Sequence, residues 1–60
     1  MPNLNTEISR LTNKDVKIRR RAVRALFEED DPSALRGFVK LLDDPDFWFR
    51  NKALDAHRKW

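Results

Sequence analysis

The stretch LTNKDVKIRRRAVRAL, residues 11–26, recurs 31 residues later as LDDPDFWFRNKALDAH, residues 42–57. When the comparison is extended back to residue 4, six positions are identical at this offset, and all are apolar or charged. The identical pairs are Leu4 and Leu35, Leu11 and Leu42, Asp15 and Asp46, Arg19 and Arg50, Ala22 and Ala53, and Ala25 and Ala56. A fixed internal period is the sequence signature of repeat architectures. The chain is therefore interpreted as one small domain, residues 1–60, made of two units at about residues 1–29 and 32–60.

Each unit is predicted to contain two helices joined by a short turn. Asp15 and Asp46 precede the two most clearly periodic segments, in the N-cap position where a carboxylate accepts a hydrogen bond from a backbone N–H. Asp31 and Pro32 predict another helix start, because proline at the first helical position loses no hydrogen bond. The predicted helices run from Asn3 or Asn5 to Leu11, from Asp15 to about Glu28, from Pro32 to about Leu42, and from Asp46 to about Lys59. No segment has the run of β-branched residues that strands require, so the predicted fold class is all-α.

Helical projection places one arginine of each unit at the edge of an apolar face. An aspartate precedes each of these arginines by four residues, a spacing that allows an ion pair on one side of a helix. We expect the pairs Asp15–Arg19 and Asp46–Arg50 to neutralise themselves at the rim of the core. Because the arrangement occurs in both units, all four residues are predicted to have a structural role.

These features resemble HEAT-like repeats of the phycobilisome-lyase type. The pattern D-x-x-[I/F]-R-x-x-A-x-x-A occurs at residues 15–25 and 46–56, the segment DPSALRGFVKLLDDPD lies between, and the resemblance covers almost the whole chain. Two features depart from the family: the turn between the helices reads EEDD where glycines are usual, and His57 stands where a leucine is expected. The resemblance implies two antiparallel helix pairs, stacked in a right-handed α-solenoid and used for binding. Members of the family act as scaffolds, handle nucleic acid or assist enzymes.

Composition argues against an independent enzyme. The chain has no cysteine and a single histidine, so thiolate nucleophiles and structural zinc sites lack their residues. Neither Ser9 nor Ser33 has an obvious base, and there is no glycine-rich phosphate loop. We predict no catalytic, metal-binding or cofactor-binding residue. No apolar run approaches the roughly 18 residues of a membrane span, and the first residues do not resemble a signal peptide. The expected location is the cytoplasm, without a membrane partner.

The segment FWFR, residues 47–50, raises the question of which aromatic rings are buried. Phe47 and Phe49 align with apolar residues of the first unit, so both are expected in the core or between units. Trp48 aligns with a lysine and is expected to be substantially exposed, either to cover the end of the array or to anchor a partner. Trp60 projects on the same side as Phe49 and is expected to close the last helix against the core.

The leading functional interpretation is protein–protein interaction by a non-catalytic scaffold module. The resemblance implies a concave row of side chains, which here would be mildly basic and suited to an acidic peptide. The candidate protein-binding residues are Asn5, Ser9, Arg36 and Lys40 of that row, together with Trp48. Self-association through the end helices is a further interpretation, since it would also bury Trp48.

The alternative interpretation is binding of nucleic acid by its phosphate backbone. The net charge of +3 divides into +5 for residues 1–27, −5 for residues 28–46 and +3 for residues 47–60. The basic residues of the second helix project together, with a tryptophan and a lysine of the last helix beside them. The candidate nucleic-acid-binding residues are Lys14, Lys17, Arg20, Arg21, Arg24, Trp48 and Lys52. Such a cluster binds phosphates with little sequence specificity, although it is equally typical of an ordinary solvated face.

Overall fold

The computed structural model describes residues 3–60, and Met1 and Pro2 of the predicted first unit lie outside them. Within this range 79% of the residues are helical and none is in a strand, which confirms the all-α class. The four α-helices are α1 (Leu4–Arg10), α2 (Val16–Glu29), α3 (Leu35–Phe38) and α4 (Phe47–Lys59). Two 3-10 turns, Pro32–Ala34 and Val39–Asp43, flank α3. We call the whole of residues 32–43 the third segment.

Four side-chain caps begin the helical segments where the sequence predicts them. Asn3, Asp15, Asp31 and Asp46 each have an extended backbone and accept a hydrogen bond from the N–H two residues later, at 2.9 Å in every case. Each cap satisfies one of the N–H groups that a helix start leaves without a partner. Asn3, rather than Asn5, is therefore the residue that begins the first helix.

The third segment differs from the continuous helix predicted from Pro32 to about Leu42. Only Leu35–Phe38 is α-helical, and the residues on both sides form tighter 3-10 turns. Gly37 lies within the α-helical part, where glycine weakens helix formation by about 1 kcal/mol relative to alanine. A Cβ added at Gly37 would lie 2.8 Å from Cγ2 of Ile8 and 2.9 Å from Cδ1 of Leu11. The glycine therefore allows the third segment to approach α1 closely, at the cost of a regular helix.

The core is a single hydrophobic cluster to which both units contribute. Its ten buried residues are Leu11, Ala22, Val23, Leu26, Ala34, Phe38, Leu41, Phe49, Ala53 and Ala56. Inside the first unit α1 packs against α2, inside the second unit the third segment packs against α4, and α3 also contacts α1. Full burial of a large side chain such as Phe38 or Phe49 contributes about 1.5–3 kcal/mol. Because the cluster spans both units, each unit depends on the other for part of its core.

The three consecutive aromatic residues do not divide as the sequence predicts. Phe49 is fully buried, which confirms its predicted place in the core. The prediction for Phe47 is wrong, since 70% of this residue is exposed. Trp48 was expected to be substantially exposed, but it is half-buried and packs against the core cluster. The alignment with the first unit misplaces Phe47 because, within residues 3–60, no further helix packs on α4 at the positions where α2 is covered.

Candidate interaction surfaces

A hydrogen-bonded turn precedes α2 in the first unit. The side chain of Asn13 accepts a hydrogen bond from the backbone N–H of Asp15 at 2.8 Å, and Nη1 of Arg19 donates to the Asn13 carbonyl at 2.9 Å. Asp15 itself caps the helix by accepting from the N–H of Lys17. The predicted Asp15–Arg19 ion pair is wrong, because the carboxylate is used in the cap and the guanidinium turns to the loop carbonyl instead.

The same hydrogen bonds recur before α4 in the second unit. Asp44 accepts from the N–H of Asp46 at 2.8 Å, and Nη1 of Arg50 donates to the carbonyls of Asp44 and Pro45 at 2.7 and 2.9 Å. The predicted Asp46–Arg50 ion pair is wrong for the same reason as its counterpart. All four residues still organise the turns, and the repeated hydrogen bonds show that the internal sequence repeat is also a repeat of local structure.

Arg19 also crosses from the first unit to the second. Its guanidinium carbon lies 4.6 Å from the centroid of the Phe49 ring, and Nη2 is 3.9 Å from Oδ2 of Asp44. Only 18% of the Arg19 side chain is exposed, and its Nε has no hydrogen-bond partner within residues 3–60. Arg50, its counterpart, lies 5.7 Å from the exposed ring of Phe47 in its own helix. The two arginines therefore bind equivalent loop carbonyls, but Arg19 also contacts a ring and a carboxylate of the other unit, whereas Arg50 contacts a ring of its own helix.

The structure brings three of the predicted row residues together on one surface. Arg36 donates through Nη2 to Oδ1 of Asn5, and the Ser9 hydroxyl donates to the Asn5 carbonyl at 3.0 Å. Asn5 and Arg36 occupy equivalent positions in the two units, so this contact joins the units along the row. Lys40 follows Arg36 by four residues, and all four side chains are exposed. Trp48 does not join this row, since its ring contacts cations of α2 and α4.

The basic residues predicted to bind nucleic acid from the first unit lie in α2 and in the turn before it. Lys14, Lys17, Arg20, Arg21 and Arg24 are all exposed, and none of them is in an ion pair within the described part of the chain. Their charges therefore face solvent without a direct ion pair, although Glu28 lines a groove with Arg24 and Glu7 lines one with Arg21. This arrangement is what binding of phosphates requires, and it is also what keeps an ordinary helical surface solvated.

Trp48 lies between cations of two helices. Nζ of Lys52 is 5.3 Å and the guanidinium carbon of Arg20 is 6.0 Å from its ring centroid, while the Phe49 ring meets it edge-on at 5.0 Å. Lys52 is shared with Asp55, whose carboxylate lies 3.8 Å away. A shallow groove of about 360 Å³ runs past the indole, lined by Val23, Arg24, Phe27, Glu28, Trp48 and Lys52. Of the predicted nucleic-acid residues, Arg20, Arg24 and Lys52 thus meet at the Trp48 ring or in its groove. Arg21 does not join them, since it lines a separate groove with Glu7 and Arg10.

A contact between Trp60 and Asp30 was not predicted from the sequence. The Trp60 indole N–H donates to Oδ1 of Asp30 at 2.9 Å, and Nζ of Lys59 lies 3.2 Å from the same oxygen. The indole hydrogen bond, followed by the Lys59 contacts, holds the pKa of Asp30 below its ordinary value. Asp30 ends α2 in the left-handed conformation, with φ of 57°. Trp60 also stacks on Phe27, so its expected position on the core side is confirmed.

Glu7 is the one buried charged residue within residues 3–60, and sequence reasoning missed it. It is 7% exposed and pairs with Nη1 of Arg10 at 2.6 Å. In the repeat alignment Glu7 occupies the position of the fully buried Phe38 and Arg10 that of Leu41. The signal was available there, because two charges stand where the second unit has core residues. The outer side of the first unit therefore carries charge among its apolar residues. A groove of about 260 Å³ there is lined by Glu7, Arg10, Ile18 and Arg21, and a second of about 220 Å³ by Leu4, Glu7, Ala25, Glu28 and Glu29.

Residues 3–60 contain no group of three or more histidine, aspartate or glutamate side chains placed to hold a metal ion. No helix in the same range combines the length and the apolar character needed to cross a bilayer. Comparison of the chain with family models, with curated proteins and with solved structures finds no match in any of the three. The HEAT-like resemblance therefore stands on the residues of the chain alone.

Proposed function

We propose that the chain is a non-catalytic binding module of HEAT-like repeats, in which two antiparallel helix pairs stack as a right-handed α-solenoid and bind an acidic segment of another protein. The repeated turns before α2 and α4 support the two-unit architecture. In repeat proteins, equivalent positions of successive units align into extended binding surfaces. The function is proposed for the surface formed by Asn5, Ser9, Arg36 and Lys40, which we call the polar row.

The observation that carries the proposal is the hydrogen bond between Arg36 and Asn5. These residues are 31 positions apart and equivalent in the two units, so the polar row is continuous across the junction between them. Arg36 and Lys40 are exposed and have no ion pair within the described residues, which leaves two cations on the row for a partner's carboxylates. Charge complementarity of this kind sets orientation and association rate more than affinity. A weak and salt-sensitive interaction is expected.

The proposal is tested by two-dimensional amide NMR during titration with a peptide rich in glutamate and aspartate. Resonances of the polar row should shift, and the double variant Arg36→Glu, Lys40→Glu should abolish the shifts. The matched control is Lys14→Glu, Lys17→Glu, which changes the net charge equally on another surface. If the control loses binding as completely as the row variant, the peptide responds to overall charge and the polar row is not its site.

Nucleic-acid binding is the second candidate function, favoured by the exposed and unpaired cations of α2 beside Trp48. Single-stranded binding would combine these charges with stacking on the indole, which is worth about 1–3 kcal/mol per base where an aromatic ring is free to stack. A titration with a single strand and with a duplex, at low and high salt, tests this candidate. Salt-reversible shifts in residues 14–24 and 48–52, lost in Arg20→Glu, Arg21→Glu, would favour it over the polar row.

That double variant must retain its fold for the titration to be interpretable. Both arginines are exposed, and only Arg20 has a ring contact, at the long distance of 6.0 Å. Far-UV circular dichroism should therefore show nearly unchanged helicity. A large loss of helicity would mean that the basic surface is part of the folding unit.

A further inference from the structure

Four large apolar side chains of the second unit are exposed. The exposed fractions are 51% for Val39, 38% for Leu42, 70% for Phe47 and 46% for Leu54. Phe47 and Leu54 are seven residues apart and therefore lie on the same side of α4. Val39 and Leu42 belong to the 3-10 turn that packs against that helix. We call these four residues the end face.

The equivalent positions of the first unit are not exposed, and two of them contact the second unit. Their counterparts are Ile8, Leu11, Val16 and Val23, all of which are buried or half-buried. Leu11 is fully buried and Val23 is 1% exposed. Ile8 and Leu11 lie directly against Gly37 of the second unit. The end face thus repeats the apolar surface on which one unit of this chain already packs another, but here nothing covers it within the described residues.

Arg50 extends this equivalence to a charged group. Arg19 places its guanidinium over Phe49 and beside Asp44, both in the following unit. Arg50 donates to the equivalent loop carbonyl, that of Asp44, and also to that of Pro45. It has no ion pair within residues 3–60 and lies over Phe47 of its own helix. The end face therefore carries a cation whose counterpart bridges two units.

The opposite end of the chain is unsuited to cover the end face. On the outer side of the first unit, the charged residues Glu7 and Arg10 stand where the second unit has buried Phe38 and Leu41. Glu7 is already buried, but head-to-tail stacking would also desolvate Arg10 and the neighbouring Arg21, and burying charges costs free energy unless they are fully paired. The surface of this chain that best suits the apolar end face is the end face of a second copy. Two copies of the same patch meet across a two-fold axis, which buries the patch on both copies.

We propose that a second copy of this chain docks on the end face and forms a symmetric dimer through α4 and the preceding 3-10 turn. This proposal is independent of the polar row. With the two α4 helices antiparallel and the axis passing between residues 50 and 51, Phe47 of each copy meets Leu54 of the other. The same arrangement brings Arg58 of each copy towards the turn that carries Asp43 of the other. Four side chains form a small patch, so the dimer is expected to be weak, with an interface at the low end of specific complexes.

The first test measures molar mass by sedimentation equilibrium across the micromolar to millimolar range. The wild-type chain should pass from monomer to dimer and stop there. Phe47→Asp and Leu54→Lys should each weaken the dimer by at least about tenfold, as expected for truncation of a central interface residue. Phe47 is the first residue of α4, where an acidic side chain favours the helix, so this variant is expected to fold. Lys17→Asp places the same residue in the first turn of α2 and should leave the dimer unchanged.

The second test locates the contact by cross-linking, which is straightforward because the chain has no cysteine. Asn51→Cys lies next to the proposed axis and should form a disulfide-linked dimer under mild oxidation. Arg20→Cys, its exact counterpart in the first unit, should not. The proposal is overturned by a monomer at every concentration, by mass that grows beyond a dimer, by a dimer that survives both end-face substitutions, or by equal cross-linking of the two cysteine variants.

Discussion

Truncation of Trp60 tests how the two units are held together at the end of the chain. Its ring stacks on Phe27 of the first unit at 5.3 Å and lies 5.9 Å from the ring of Phe38 in the second. The indole N–H is hydrogen-bonded to Asp30, at the end of α2. The change Trp60→Ala removes all three contacts, whereas Trp60→Phe retains the aromatic packing and removes only the hydrogen bond and part of the ring.

The size of the effect follows from the burial of the ring. Truncating a fully buried aromatic side chain to alanine costs about 3–5 kcal/mol. Trp60 is half-buried, so we expect Trp60→Ala to lower the free energy of unfolding by about 2 kcal/mol. The free energy of unfolding of a chain of this length is roughly 3–9 kcal/mol in total. The variant should therefore lose a large share of its stability, and its melting temperature should fall by about 8–16 °C.

The assay is urea unfolding followed by far-UV circular dichroism, with thermal unfolding as a second measurement. Trp60→Phe should lie much closer to the wild type than Trp60→Ala, because the rings of Phe27 and Phe38 keep an aromatic partner. The reasoning is refuted if Trp60→Ala unfolds at the wild-type urea concentration. It is also refuted if the two substitutions are equally destabilising, since stacking would then not account for the loss.

The hydrogen bond from the Trp60 indole to Asp30 also affects how stability depends on pH in acid. It is the largest cause lowering the pKa of Asp30 below its ordinary 3.8, ahead of the contacts from Lys59. A carboxyl whose folded pKa is depressed adds stability above its unfolded pKa, and this is lost as the pH falls through the folded value. The stability difference between wild type and Trp60→Phe should therefore shrink as the pH falls below 3.8. Asp31, whose pKa is lowered by Ser33, is an internal reference in a carboxyl NMR titration and should titrate identically in both proteins.

Two further substitutions test the contacts between the units, both by urea unfolding. Gly37→Ala should destabilise the fold by about 1–2 kcal/mol, because overpacking against Ile8 outweighs the gain in helix propensity. Combining it with Ile8→Ala should cost less than the sum of the two single changes. An additive result would contradict the close approach of Gly37 to Ile8. Arg19→Ala should lower the free energy of unfolding by about 1–3 kcal/mol, because it removes the contact with the buried Phe49 ring and the ion pair with Asp44. Arg50→Ala should cost clearly less, because its ring partner Phe47 is exposed. Equal losses would show that only the loop hydrogen bonds of the two arginines matter.

Of the candidate surfaces, the sequence could indicate which side chains are exposed but not which of them meet. Helical projection predicts an exposed basic face on α2, and its residues Lys17, Arg20, Arg21 and Arg24 are exposed. It does not predict that Arg21 lines a different groove from Arg24. The contact of Asn5 with Arg36 depends on how closely the two units pack, which no pattern within a single helix specifies. The partners assigned to Arg19 and Arg50 were wrong because a four-residue spacing permits an ion pair without requiring one. The aspartates instead cap their helices, and the guanidinium groups bind loop carbonyls.

The sequence by itself determined the all-α class, the two-unit period, the caps at Asp15, Asp31 and Asp46, and the ends of the long helices to within a residue or two. These features depend on interactions within a few residues along the chain, so local spacing is sufficient to predict them. Only the tertiary structure decided which of two equivalent positions is buried and which is exposed. Val23 is buried and Leu54 is exposed although the repeat treats them alike, because the first unit is covered by the second and the second unit is covered by nothing within residues 3–60.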